Sequence, residues 1–103
     1  MSGDSESDQM YERLVAINRE AFAGGYYETA YHALAAAMHR AGDIGAAHLL
    51  AQVEDIATEQ MNQIDTSEPQ HPLSSQSARA HGRYSIYALL ARQAATRRQL
   101  IKA

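Results

Sequence analysis

"GGYYETAYHALAAAMHRAGD", residues 24–43, opens on two glycines and closes on a third followed by an acid. Between them Tyr27, Tyr31, Leu34, Met38 and Ala41 recur at steps of four, three, four and three, with Ala30, Ala33 and Ala37 beside them. That period marks one face of an amphipathic helix. Alanine favours helix and lets a neighbouring helix approach closely. The stretch therefore reads as a packed helix between two turns, and its tyrosines as core or subunit contact. Gly42 stops the helix, Asp43 caps the next, and so short a turn makes the second and third helices antiparallel neighbours.

Working outward, Met10, Leu14, Ile17 and Ala21 repeat at three- and four-residue steps before Gly24, with Tyr11, Val15, Asn18 and Phe22 one residue behind. A first helix is expected there, capped by Ser7 or Asp8 and ended by Gly24 and Gly25. Residues 1–8 are small, acidic and polar, with nothing to bury, and read as a disordered leader ahead of a single helical domain over 9–103. A third helix is expected from Ile44 to Ile64, burying Leu49, Leu50, Val53, Ile56, Ala57, Met61 and Ile64, with Gly45 in its first turn. Residues 65–77, "DTSEPQHPLSSQS", form the linker, since two prolines and a serine cluster bar a continuous helix. A fourth helix follows from Ser74–Ser77 to Ile101, with Gly82 kinking or splitting it and Ile86, Leu89, Leu90, Ala94, Leu100 and Ile101 as its apolar members. Tyr84 and Tyr87 flank that apolar side. No segment alternates as a strand would. The fold class is all-α: four helices in antiparallel hairpins, the fourth after a Pro/Ser-rich loop.

Residues 14–42 resemble one tetratricopeptide repeat, a helix–turn–helix unit of about 34 residues. Leu14 stands at the bulky first position, Ile17 and Asn18 at the next pair, and Tyr27 at the turn's aromatic position. Ala30, Leu34 and Ala37 fill the small–large–small positions of the second helix. Ala21 stands where a tyrosine is usual and Gly42 where a proline is usual. A second unit starts acceptably at Ala46, Ala47 and Leu50, then departs into the linker. The resemblance thus covers about a third of the chain. It implies a tetratricopeptide-like or bundle array and a non-enzymatic role in peptide or protein binding on the face lined by first helices. The matching partner-binding positions are Val15, Arg19 and Phe22, with Leu49 and Val53 in the partial second unit. The lysine and asparagine pattern by which some members clamp a terminal carboxylate is missing. With room for about one and a half units, the exposed face needs the fourth helix or a second subunit to cover it.

Charge is unevenly distributed. Residues 1–68 hold all 12 acids and three bases (Arg13, Arg19, Arg40), a balance of −9; residues 69–103 hold six bases and no acid, a balance of +6. Wound as one helix, Arg79, Arg83, Arg97 and Arg98 share an arc of about 100°. This basic face suits pairing with the acidic helices, in the same chain or in a partner subunit. The alternative is a nucleic-acid-associated regulator using that C-terminal helix, against which the chain's net charge of −3 argues.

For catalysis and ligation the sequence offers little. Cysteine is absent, which removes disulfides, thiolate chemistry and cysteine-based metal sites and fits a cytoplasmic setting. His32 and His39 lie two turns apart, about 10 Å, too far to share a metal; Glu28 and His32 have compatible spacing but no third ligand. Glu54 and Asp55 point about 100° apart, and no nucleophile elbow or phosphate loop is present. No cofactor, metal, small-molecule substrate or membrane span is expected. The leading reading is a small helical protein–protein interaction module without enzymatic activity that associates with itself as a homodimer.

Overall fold

Three helix ends in this protein are built the same way. A computed structural model describes residues 8–102 and, of Lys102, the backbone alone. In it α1 spans Gln9–Ala23, α2 Tyr27–Asp43, α3 Ala47–Ser67, α4 Ser75–Ala80 and α5 Ile86–Lys102. The amides of Tyr26, Ala46 and Arg83 each donate to the carbonyl five residues back, on Ala21, Ala41 and Ala78. The amides of Gly25, Gly45 and Gly82 each donate three residues back, on Phe22, Gly42 and Arg79. That pair of bonds closes a helix only when the penultimate residue takes a positive φ, and the three glycines have φ of 82°, 68° and 70°.

This motif corrects several expectations. Gly42 does not stop α2. The helix runs through it, and Gly45 supplies the left-handed turn instead. Gly45 therefore lies outside α3, which starts at Ala47. Asp43 belongs to α2 and does not cap α3, whose N-cap Ala46 has no side-chain cap. The α3 helix continues to Ser67, so the linker shrinks to residues 68–74. The expected fourth helix is split at Gly82 into α4 and α5. Asp8 does cap α1, accepting the Tyr11 amide at 2.8 Å. Of the leader expected over residues 1–8, Asp8 is instead the N-cap of α1, and residues 1–7 lie outside the described residues.

Hydrogen bonds fix the helix directions. Asn18 lies against Ala30, and Asp8 reaches Arg40 at the far end of α2, so α1 and α2 are antiparallel. Tyr11 faces Gln52 and Asn18 faces Gln60, so α1 and α3 are parallel. Tyr27 bonds Glu68, making α2 and α3 antiparallel as expected. Tyr87 bonds the Tyr27 carbonyl at the start of α2, and Arg97 meets His39 near its end, so α5 runs parallel to α2. The result is two stacked hairpins, α1/α2 and α3/α5. The Cα extents of 47 × 31 × 16 Å have the thickness of two helix layers, α1 and α3 in one and α2 and α5 in the other. All the described elements are helices.

The core follows the alanine face of α2. Ala30, Leu34, Ala37 and Ala41 are fully buried, with Leu50, Val53, Ala57 and Ile64 of α3 and Tyr87, Leu90 and Ala94 of α5. In α1 the buried line is Tyr11, Asn18 and Ala21, whereas Met10 and Ile17 are exposed. One buried polar cluster joins three helices. Asn18 Nδ2 donates to the Ala30 carbonyl at 2.8 Å and to Gln60 Oε1 at 3.0 Å, and Gln60 Nε2 donates back to Asn18 Oδ1 at 2.7 Å. Both amides are satisfied away from water, with Asn18 fully buried and Gln60 nearly so. Tyr11 lies beside Gln52 and the Leu49 carbonyl, and burial pushes its phenol up to about 12.

This packing has consequences for stability and for acid response. Asn18→Leu leaves the Gln60 amide buried without a partner and should cost about 2–3 kcal/mol in urea denaturation. Adding Gln60→Met should recover most of that loss, because an apolar pair of similar volume leaves nothing unsatisfied. The second concerns acid. The bidentate Arg40 guanidinium, then the Tyr11 amide, hold the Asp8 carboxyl below its ordinary 3.8. A depressed carboxylate stabilises the fold above its unfolded value and loses that contribution as pH falls through the folded one. The stability gap between the wild type and Arg40→Met, measured by denaturation across the acid range, should therefore close below about pH 3.8.

Candidate interaction surface

The α1 helix presents three different arcs. At about 100° per residue, Tyr11, Leu14, Asn18 and Ala21 point inward. Val15 and Arg19 lie further round on one side, while Met10, Arg13, Ile17 and Glu20 lie on the other. The second arc meets α3 across a shallow cleft of about 230 Å³ lined by Val15, Arg19, Gln52, Asp55, Ile56 and Glu59. Its floor is apolar and its rim mixes one guanidinium with two carboxylates.

Of the positions implied by the repeat resemblance, Val15 and Arg19 line this cleft. Phe22 does not. Its ring packs 4.8 Å from Tyr27 and 6.4 Å from Tyr87, closing the end of the core. Leu49 and Val53 are 4% and 0% exposed, in the core rather than on the cleft. The α3 residues that line the cleft are Gln52, Asp55, Ile56 and Glu59, on the neighbouring strip of the helix. The sequence carries only half of the signal for them. The buried stripe of α3 fixes its inward direction, and the layer shared with α1 then selects the strip beside it.

Among the described residues no element covers the third arc of α1. Met10 is 54% and Ile17 49% exposed, two turns apart on one side of the helix, with Arg13 and Glu20 exposed on the same side.

The basic residues separate. Arg79 lies on α4, Arg83 between α4 and α5, and Arg97 and Arg98 on α5, so the arc expected from one continuous helix does not form. Arg98 pairs with Glu54 at 2.8 Å, joining α5 to α3. Arg97 crosses to α2. Its Nη1 lies 3.3 Å from His39 Nδ1, and its guanidinium rests over Gly42, where a Cβ would overlap it. Gly42 is thus the place where a side chain from α5 lies on the backbone of α2. A groove of about 620 Å³ runs between these helices, with Met38, His39, Leu89, Arg92 and Arg97 among its lining residues.

The tyrosines divide as well. Tyr27 and Tyr87 are buried and Tyr31 partly so, with Tyr31 and Tyr87 rings 5.9 Å apart. Tyr26 and Tyr84 are 68% and 71% exposed and so lie outside the core. The Tyr27 hydroxyl donates to Glu68 at 2.6 Å, and that bond to a carboxylate holds its phenol above the ordinary value. Among the described residues no group of three histidine or acidic side chains converges as a metal site, and no helix is long and apolar enough to cross a membrane.

No protein-family model, curated protein or solved structure matches the chain.

The Gly42 contact is directly testable. Gly42→Ala should displace the Arg97 guanidinium from α2 and move the His39 ring resonances in NMR spectra. Stability should change by less than about 1 kcal/mol, because the helix gain from alanine offsets the lost contact.

Proposed function

We propose that this protein is a small helical protein–protein interaction module, without enzymatic activity, that associates with itself as a homodimer. The observation that carries this reading is a stripe on α1 that no described element covers. Met10 and Ile17 place two large apolar side chains in water on one side of an outer helix, and helix faces of that kind are normally buried against another element.

The stripe is also self-complementary. A two-fold axis brings the same surface patch together from both copies. If two α1 helices cross antiparallel near Ile17, Arg13 of each copy comes opposite Glu20 of the other, and the two Ile17 side chains meet near the axis. Opposite charges then flank an apolar centre, the anatomy of a specific interface.

The stacking of two hairpins with α1 and α3 parallel in one layer supports a tetratricopeptide-like build for this module. On that reading the cleft between α1 and α3, with Val15, Arg19 and Ile56, is the face open to a peptide. A cytoplasmic setting accompanies the reading and rests on the cysteine-free sequence.

Light scattering of the purified protein should give twice the chain mass. Met10→Glu with Ile17→Glu should give the single chain mass with unchanged helical circular dichroism. Arg13→Glu should weaken the dimer several-fold by setting like charges opposite each other, and adding Glu20→Arg should restore it. A wild-type protein that stays monomeric at high concentration would overturn the self-association.

A further inference from the structure

The groove between α2 and α5 lies on the opposite layer from the α1–α3 cleft and has a different chemistry. Leu89, 41% exposed, and Met38, almost fully buried, supply its apolar part. Around them stand His39, Arg92 and Arg97, and among the described residues no acidic side chain lines it. On α5, Arg92 and Arg97 fall on either side of the line through Leu89, about 60° and 80° away. Leu89 is thus flanked by two guanidiniums. The same line continues three turns further to Leu100, 71% exposed.

Arg97 is held in place. It lies over Gly42, against the C-terminal turn of α2, where a cation is favoured, and the His39 ring takes one of its five N–H donors. Its remaining donors have no partner among the described residues. A guanidinium already fixed in position loses less freedom when it binds a carboxylate.

We propose that this groove docks an acidic amphipathic helix of another protein. A leucine-class side chain of that helix seats against Leu89 and Met38, and its carboxylates meet Arg92 and Arg97. The charges select the occupant. A second copy approaching across a two-fold axis would bring Arg92 and Arg97 against their own equivalents, and like charges facing each other are costly. A nucleic-acid backbone offers phosphates for the arginines but nothing apolar for Leu89. This site is independent of the α1 stripe, and its variants are chosen to keep the two apart.

Fluorescence anisotropy of the full-length protein with labelled helical peptides tests the site. The probe is a peptide of about 14 residues, four turns, with leucines on one face and glutamates beside them. It should bind, and more weakly as salt rises. Binding should fall at least tenfold with Arg92→Glu plus Arg97→Glu, and with Leu89→Asp, while circular dichroism confirms that these surface variants fold. The same peptide with lysine for glutamate, or with alanine for leucine, should bind at least tenfold more weakly than the parent. Met10→Glu with Ile17→Glu should leave peptide affinity unchanged, even where it abolishes the dimer. The proposal is overturned if the leucine–glutamate peptide does not bind, or if it binds the arginine variant as well as the wild type. It is also overturned if the lysine peptide binds equally, if random duplex DNA displaces the peptide, or if Leu89→Asp changes the mass of the protein in light scattering.

Discussion

The reciprocal amide pair between Asn18 and Gln60, with the Ala30 carbonyl as third member, is the constraint on which the arrangement of this fold depends. Apolar side chains along α1, α2 and α3 would tolerate several relative heights, because hydrophobic contact has no direction. Two amides that are both buried have no such latitude. Each must find its partner at hydrogen-bond distance, and a slip by one turn would leave both without one. The pair therefore sets α1 against α3, and the Ala30 bond sets α1 against α2. Small side chains at Ala30 and Ala37 keep that contact close.

Once the first three helices are fixed, α5 has one place to go. Tyr87 fills the end of the core against Phe22 and Tyr31 and bonds the Tyr27 carbonyl, while Arg98 reaches Glu54 across to α3. The basic C-terminal segment is thus drawn partly onto the acidic half of its own chain. The charge division in the sequence serves in part as internal pairing. It also leaves Arg92 and Arg97 on one layer, with Asp55 and Glu59 on the other, so the two faces of the slab differ in sign. The proposed self-association and the proposed peptide groove use separate surfaces because the two-layer build separates them.

Much of the fold is legible in the residues. The period of the apolar positions gives the helices, Ser7 and Asp8 are the candidates for the first cap, of which Asp8 serves, and the proline–serine run gives the break before α4. The error at Gly42 has a physical cause. Two glycines lie three residues apart, and either could end the helix. The backbone chooses Gly45 because only there does a left-handed residue bring the next amide back to a carbonyl five residues earlier, on Ala41. At Gly42 the helix instead makes a contact that sequence cannot show, with an arginine 55 residues further along. Met10 and Ile17 likewise fit the period as well as Tyr11 and Asn18 do. The α1 pattern is apolar over a wide arc, and only its neighbours decide which part is covered. A polar Asn18 at the buried position runs against simple patterning and is explained only by Gln60, 42 residues away.

What the sequence determined alone is local: helices where alanine and leucine repeat, turns where glycine can take a positive φ, and a chain with no cysteine and separated charges. Those depend on interactions within a few residues. The tertiary structure decided which side of each helix is inside, which arginines are engaged and which are left to face the groove, and that α1 and α3 share a layer. Such choices rest on contacts between residues tens of positions apart, and side-chain directions become definite only when the helices have packed.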